Sequence, residues 1–554
     1  MNDSAIRPRV AARWWGWGDP SVSTELPARA ERLLANRGLL PEAGYEIPEI
    51  SDVALPEARQ IPEVVVAAAG DALRNDFESR LRHCGGHSLA DLLERRSGEI
   101  ADAPDAVLVP EGEDRLRAVL EACREASVAV IPWGGGTSVT GGLTNRERGF
   151  AAVIALDMER FVQFEVDPVS MTAKLGAGLR GPEAEELLGR EGLTLGHFPQ
   201  SFEFATIGGF AAARSAGQAS SGYGRFDEMV TALRLVSPVG DLSTIAGPRA
   251  SSGPSILEMV LGSEGTLGVI TEVTVRVKRA PEVSIYEVSL VKDFQSGFRA
   301  VKELAQAGSL PTVMRVSDRA ETEISIGMSR PDGVAGTIFD RWLDLRGRTQ
   351  GSLVVTGYEG SRSEVRAERS ATQRALSRAG AVGLGKGAGR SWKEGRFHGP
   401  YLREALLDRG LVVDTFETSA VWSGYGEAYS TIRDRTCERL AEVGMSGVVM
   451  CHLSHAYPES ASLYFTVIAT PGPDGPIACW RAVKTAAMDE IAAAGLAVSH
   501  HHGVGRDHVE WLEAEVGPSG IGALRGLKEA FDPTGIMNPG CLLPRSESGL
   551  RRPR

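Results

Sequence analysis

Residues Ser499 to Gly505 read Ser-His-His-His-Gly-Val-Gly, three consecutive histidines closed by a glycine-bounded turn. Imidazoles titrate near neutrality, so the run suits proton transfer, and neutral imidazole also suits a metal such as zinc. Side chains alternate along an extended chain, which predicts that His500 and His502 face one way and His501 the other. Closely spaced imidazoles oppose one another's protonation. Gly503 and Gly505 allow a sharp turn that can carry the cluster into a pocket. A second pair, His452 and His455 in Cys-His-Leu-Ser-His, could join His500 or His502 around a metal ion. The plainer alternative makes them hydrogen-bonded polar residues lining a pocket, and no metal is expected.

Three further stretches are rich in glycine and hydroxyl side chains: PWGGGTSVTGG from Pro132, GHFPQSFEFATIGGFAAARSAG from Gly196, and GSEGTLGVIT from Gly262. Successive glycines permit positive φ and close approach, so backbone N–H groups can face an anion. Neither a P-loop nor the G-x-G-x-x-G fingerprint is present. A single triple glycine is equally a tight turn, but three such segments could wrap an extended dinucleotide.

The elements that must position these residues follow from apolar spacing. Around Pro104 the chain changes to alternating strands and helices. DAVLVP and VAVIPW read as strands on either side of a helix with Leu116, Val119, Leu120 and Cys123 on one stripe. The result is a β-α-β unit whose second strand runs into the triple glycine. Strands are predicted at AAVIALD, TAKLGAG, LRLVSPVGDLSTI (two around a turn) and GVITEVTVRV, and alternating polar and apolar stretches around PTVMRVSD, GSLVVTGYEG and GLVVDTFETSA suggest a second α+β domain. A strand pair is predicted around GVVMCHLSHAYPESASLYFTVIAT, before a helix ending at Gly495. The fold class is therefore α+β. Residues 1–95 form a mainly helical arm, 96–279 one domain, 280–470 a second, and 471–554 a C-terminal segment holding the histidine run. The tryptophans of RWWGWG are expected to pin the arm onto another domain.

A length of 554 residues implies two to four domains, and a net charge of −12 argues against nucleic acid as a partner. Six scattered cysteines without a CxxC pair fit free thiols in a reducing cytoplasm. No apolar run reaches membrane-spanning length, and the N-terminus shows no signal-peptide pattern.

IPWGGGTSV, SFEFATIGGF, GSEGTLGVITEVTV and above all SHHHGVG make the chain resemble the alkyldihydroxyacetonephosphate synthase (alkylglycerone-phosphate synthase) family. That family lies within the FAD-binding vanillyl-alcohol-oxidase and p-cresol-methylhydroxylase (PCMH) superfamily, and the resemblance runs from Trp15 to Leu543. It implies a two-subdomain PCMH-type FAD-binding domain, an α+β cap domain, and non-covalent FAD. The matching cofactor positions are Pro132, Trp133, Gly134, Gly135, Gly136, Thr137 and Ser138; Pro199, Gln200, Ser201, Phe202, Glu203, Phe204 and Ala205; Ala212, Ala213, Arg214 and Ser215; and Glu264, Gly265, Thr266, Leu267, Gly268, Val269 and Ile270. His197 is expected to be structural or pocket-lining.

The implied reaction exchanges the acyl group of acyl-dihydroxyacetone phosphate for a fatty alcohol through a flavin N5 adduct, with no net redox change. Tyr464 matches the family's proton donor and acceptor, and His501 is expected to act with it while His500 and His502 position substrate, flavin or one another. Arg403 and Arg315 match substrate-binding arginines. The competing enzyme reading is an FAD-linked oxidase or dehydrogenase of a 2-hydroxy acid or alcohol. A homodimer is expected, and a cytoplasmic protein with peripheral membrane contact, for which residues 20–95 are the expected patch.

Overall fold

The computed structural model describes residues 9–23, 25–41, 44–145, 149–248, 250–330 and 332–543. Helix Gly112–Ala126 buries the predicted stripe of Leu116, Val119, Leu120 and Cys123 against a four-stranded sheet. The two strands of the β-α-β unit are not neighbours. Strand Ala152–Asp157 lies between Ala106–Leu108 and Val128–Trp133, and all three run parallel. Their near-continuous burial explains why these segments read as apolar runs without alternation. Trp133 ends its strand, so the triple glycine begins at the carboxyl edge of a parallel sheet, where ligands of open α/β sheets bind.

A five-stranded antiparallel sheet follows, in the order Phe164–Asp167, Thr172–Gly176, Val269–Arg276, Val230–Ser237, Gly240–Ser243. The chain then builds a seven-stranded antiparallel sheet in the order Val382–Gly383, Val283–Val291, Ser352–Gly360, Val313–Ser317, Gly447–Leu453, Ser460–Ala469, Val412–Val421. Period two sorts its residues. Phe416 stacks on Phe465 at 5.1 Å inside the core, whereas the intervening positions turn to the other face. There the register sets Ser317 opposite His452, His452 opposite Tyr464, and Tyr464 opposite Glu417. A polar row therefore crosses four strands.

Helix Pro476–Ala493, in the stretch read as the C-terminal segment, packs on Tyr425–Glu442 and buries Trp480, Val483, Ala487 and Ile491 in the core of this sheet. Its Gly495, at φ +65, ends the helix as predicted. The chain then crosses back to the first domain. Val130 N–H donates to the Ile536 carbonyl and Asn538 N–H to the Val130 carbonyl, so the tail borders the parallel sheet. Among the described residues no helix is long and apolar enough to cross a membrane, and the six cysteines are unpaired.

The arm consists of short helices and loops pinned by its tryptophans. Trp14 packs with Leu81, Cys84 and Ile100, and Trp17 meets the Phe204 ring edge-on at 5.1 Å beside Tyr401. Helix Leu89–Ser97 adds a buried charge bridge. Arg96 reaches Glu404 at 2.5 Å and Asp408 at 2.8 Å on cap helix Gly399–Asp408, and donates to the Trp15 carbonyl at 3.1 Å. Truncating one partner of such a bridge leaves buried carboxylates uncompensated. Arg96→Ala is expected to cost about 3–5 kcal/mol in urea unfolding.

Candidate active site

The glycine loop packs directly on the second predicted segment. A Cβ on Gly135 would overlap the Phe204 carbonyl oxygen, and one on Gly134 would overlap the Thr206 hydroxyl, so only glycine permits this approach. The N–H groups of Gly135, Gly136, Thr137 and Ser138 donate to no acceptor among the described residues. A run of half-buried free donors at a sheet edge fits the pyrophosphate of a dinucleotide. His87 braces the loop from behind, its ring nitrogen Nδ1 at 2.8 Å from the Gly136 carbonyl and its N–H donating to the Ser138 carbonyl.

The remaining segments are tied together. Pro199 to Ala205 forms consecutive turns, with Gln200 exposed, Phe202 stacked on Phe397, and Glu203 accepting the Tyr401 hydroxyl at 3.0 Å. Ala212 and Ala213 end a short helix, and its carbonyls accept the N–H groups of Gly262 and Glu264. Arg214 donates to the carbonyls of Leu261 and Glu258, while Ser215 contacts His197 at 3.0 Å. His197 sits between Phe210 and Phe226, and burial lowers its pKa to about 3. Leu267, Val269 and Ile270 put their side chains into the sheet core. Glu264 is half-buried, and its carboxylate accepts Val504 N–H at 2.7 Å and Gly505 N–H at 2.9 Å. This member of the cofactor stretch thus clamps the Gly-Val-Gly turn.

The histidine run is not extended. It bends so that the N–H groups of His500, His501 and His502 converge on one oxygen of Glu417, at 3.1, 2.5 and 2.7 Å, and the Ser499 hydroxyl joins them at 3.0 Å. The expected alternation therefore fails, because a buried carboxylate gathers successive amides more strongly than an exposed strand edge could. Glu417 Oε2 also lies 2.5 Å from His501 Nδ1. Burial opposes its charge, but His501 and His502 outweigh burial and hold the carboxyl well below 4.5. The Glu417–His501 contact fixes the proton on His501 Nδ1 and leaves Nε2 as the basic nitrogen. Burial lowers the pKa of His500 to about 3 and that of His502 to about 4, so both rings are uncharged at neutral pH.

Tyr464 stands among these rings, 4.7 Å from His452, 5.9 Å from His501 and 5.2 Å from His502 between centroids. Burial first, and then the Glu417 charge, raises its pKa to about 12, against a hydrogen bond with Thr415 and the charges of Arg403 and Arg315. Arg403 is anchored by the carbonyls of Val413 and His87 and by Asp414, and Arg315 by Glu321 and His452. Each guanidinium carries five N–H groups, so donors remain for a ligand anion. Two clusters, His455–His500–His501 and Glu417–His501–His502, bring donor atoms within 4.8 Å of one another and could hold a metal. His452 belongs to neither and pairs with Arg315 and Glu321 instead.

Glu417, Glu321, Asp414, Tyr457 and Arg225 were not singled out from the sequence. The only available signal was a carboxylate interrupting an apolar strand in VVDTFETSA and an acid at the start of the helix after Arg315.

Comparison with known proteins agrees with this geometry. Residues 104–246 match a family model described as FAD binding domain, and 280–542 one described as FAD linked oxidases, C-terminal domain. The chain is 32% identical to alkyldihydroxyacetonephosphate synthase of Trypanosoma brucei brucei, covering 98% of this chain and 94% of the relative. It is 30% identical to the same enzyme of Dictyostelium discoideum, covering 96% and 93%. A solved alkyldihydroxyacetonephosphate synthase structure superposes with a TM-score of 0.81 at 28% identity, covering 96% of this chain and 98% of that one. Relatives named as hydroxy-acid dehydrogenases are more distant, at 24% for mitochondrial D-lactate dehydrogenase of Arabidopsis thaliana.

Two outcomes follow from the site's charges. His500 and His502 have folded pKa values below the ordinary 6.5, so the unfolded chain binds more protons as pH falls. Their contribution to stability is complete above pH 6.5 and is lost as pH falls toward about 4 and about 3. Urea midpoints should fall between roughly pH 7 and pH 5, and His502→Gln should remove about one proton from the slope. Glu417→Gln, which places an amide NH2 among donors, should cost about 2–4 kcal/mol in the same assay at neutral pH.

Proposed function

Because the chain belongs to the alkyldihydroxyacetonephosphate synthase family, we propose that it replaces the acyl group of an acyl-dihydroxyacetone phosphate by a fatty alcohol, with FAD bound and no net redox change. The observation that carries the reading is the half-buried Tyr464 ring set beside His452, His501 and His502, with Arg315 hydrogen-bonded to that same His452. FAD, when bound, supplies the electrophilic ring system through which such an exchange avoids an external electron acceptor. The unpaired donors of Gly135 to Ser138 would hold its pyrophosphate.

The chain's own residues supply the rest. His501 presents Nε2 as a base because Glu417 holds the proton at Nδ1. Tyr464, kept protonated by burial, donates or accepts the matching proton. Arg315 and Arg403 meet the substrate phosphate with the N–H groups their protein partners leave free, and those partners fix each fork in direction. Peripheral contact with a membrane, where such long-chain substrates reside, is supported by helix Gly333–Leu345. Its Val334, Ile338 and Leu345 are 77%, 64% and 81% exposed. These residues lie outside residues 20–95, where the patch was expected.

Purified holoenzyme given acyl-dihydroxyacetone phosphate and a long-chain alcohol should release the ether product without an electron acceptor, and failure to do so overturns the reading. Tyr464→Phe should lower the rate by about 10²–10⁴-fold with the flavin spectrum retained.

A further inference from the structure

Beyond His501 lies a line of buried polar contacts that the exchange reaction leaves unused. His501 Nδ1 is 3.1 Å from His500 Nδ1. His500 Nε2 is 2.8 Å from the Tyr457 hydroxyl and 3.3 Å from Arg225 Nη1. His455 stacks on His500 at 5.0 Å and holds its ring. Tyr457 is half-buried, and the residues after it, Pro458 and Glu459, are exposed. The line therefore runs from the His501 imidazole to a half-buried tyrosine whose next two chain neighbours are exposed.

Its two ends demand opposite polarities. A carboxylate only accepts, so Glu417 keeps a proton on His501 Nδ1. A guanidinium only donates, so Arg225 asks His500 Nε2 for a lone pair. A neutral His500 must then carry its proton on Nδ1, and two N–H groups meet across the 3.1 Å contact. In the other tautomer Nε2–H donates to the Tyr457 oxygen and Nδ1 shares the His501 Nδ1 proton with Glu417, which leaves the mismatch at Arg225. Each tautomer has one unsatisfied contact, so neither dominates by the full worth of a hydrogen bond. An imidazole with two comparable tautomers conducts a proton by accepting at one nitrogen and releasing at the other.

We infer that His500 and Tyr457 form a proton relay joining His501 to solvent. The inference rests on the reading of His501 as the proton-transfer group in the proposed reaction. The step balances. His501 takes a substrate proton on Nε2 and passes its Nδ1 proton to His500 Nδ1. His500 passes its Nε2 proton to the Tyr457 oxygen, and the hydroxyl proton of Tyr457 leaves to water. N–H and O–H bonds break and form in equal number, no electrons move, and the reverse sequence returns a proton for the second half of the exchange. The line resets when His501 Nε2 releases its proton to the product, His500 Nδ1 returns a proton to His501 Nδ1 beside Glu417, Tyr457 reprotonates His500 Nε2, and water reprotonates Tyr457. The groups facing it are Arg225, Asp227 and Glu228 around Tyr457, and Glu417, His455, His501, His502 and Arg225 around His500. Tyr457 is thus a positioning and conducting residue that touches no substrate.

The test compares wild-type holoenzyme, Tyr457→Phe and Tyr457→His, all labelled with ¹⁵N-histidine. Exchange of the His501 ring proton with D2O, followed without substrate, should slow by about tenfold or more in Y457F and recover in Y457H. With substrates, kcat should fall by a similar factor at unchanged KM and rise again with added imidazole buffer. Retention of the flavin spectrum reports that each variant is folded. Equal His501 exchange in wild type and Y457F overturns the relay, as does a Y457F defect that Y457H fails to repair. If wild type forms no ether product, the transferase reading falls, and the substrate-free exchange measurement still decides the relay.

Discussion

The buried Glu417 carboxylate is the interaction on which the rest of the site depends. An ion removed from water is costly unless hydrogen bonds replace its hydration. Here one oxygen receives three successive backbone N–H groups and a serine hydroxyl, and the other lies against His501. The carboxylate bends the histidine run, selects the tautomer of its middle ring, and fixes the tail to an edge strand of the cap sheet. Each effect follows from a single acceptor that must be satisfied locally.

Glu264 repeats the device a few residues further along. Its carboxylate, anchored beside the FAD-binding segments, accepts the amides of Val504 and Gly505. The Ser499–Gly505 segment is therefore gripped from both sides, by the cap through Glu417 and by the cofactor domain through Glu264. Leu542 adds a third tie by donating its N–H to the Gly505 carbonyl. A segment pinned by hydrogen bonds to both the cap sheet and the cofactor-binding stretches is held where the two meet.

Permanent cations are held at fixed angles by carbonyls and acids, as Arg403 is by Val413, His87 and Asp414. Burial keeps the His500 and His502 rings uncharged at neutral pH. His452 shares this arrangement between Arg315 and Glu321, which removes it from the metal-like clusters of its neighbours.

Much of the architecture was legible in the chain. Apolar spacing marked the helix Gly112–Ala126, most strands of the first two sheets, the strand pair before Pro476 and the stop at Gly495, because local periodicity reports which face is buried. The glycine loops and the histidine run marked the two halves of the site, because few backbones need three glycines and few cores hold three histidines. Other features came only with tertiary structure. Strand Ala152–Asp157 inserts between the halves of the β-α-β unit, a choice made by sheet pairing rather than by any local pattern. The bend of Ser499–His502 was invisible because its cause, Glu417, lies more than eighty residues away on another strand. In the sequence that residue is one acid in an apolar stretch. Register across four strands, set by the pairing of Ser317, His452, Tyr464 and Glu417, turns it into the acceptor around which the site is built. Local propensity determined which residues could do chemistry, and long-range pairing decided which of them meet.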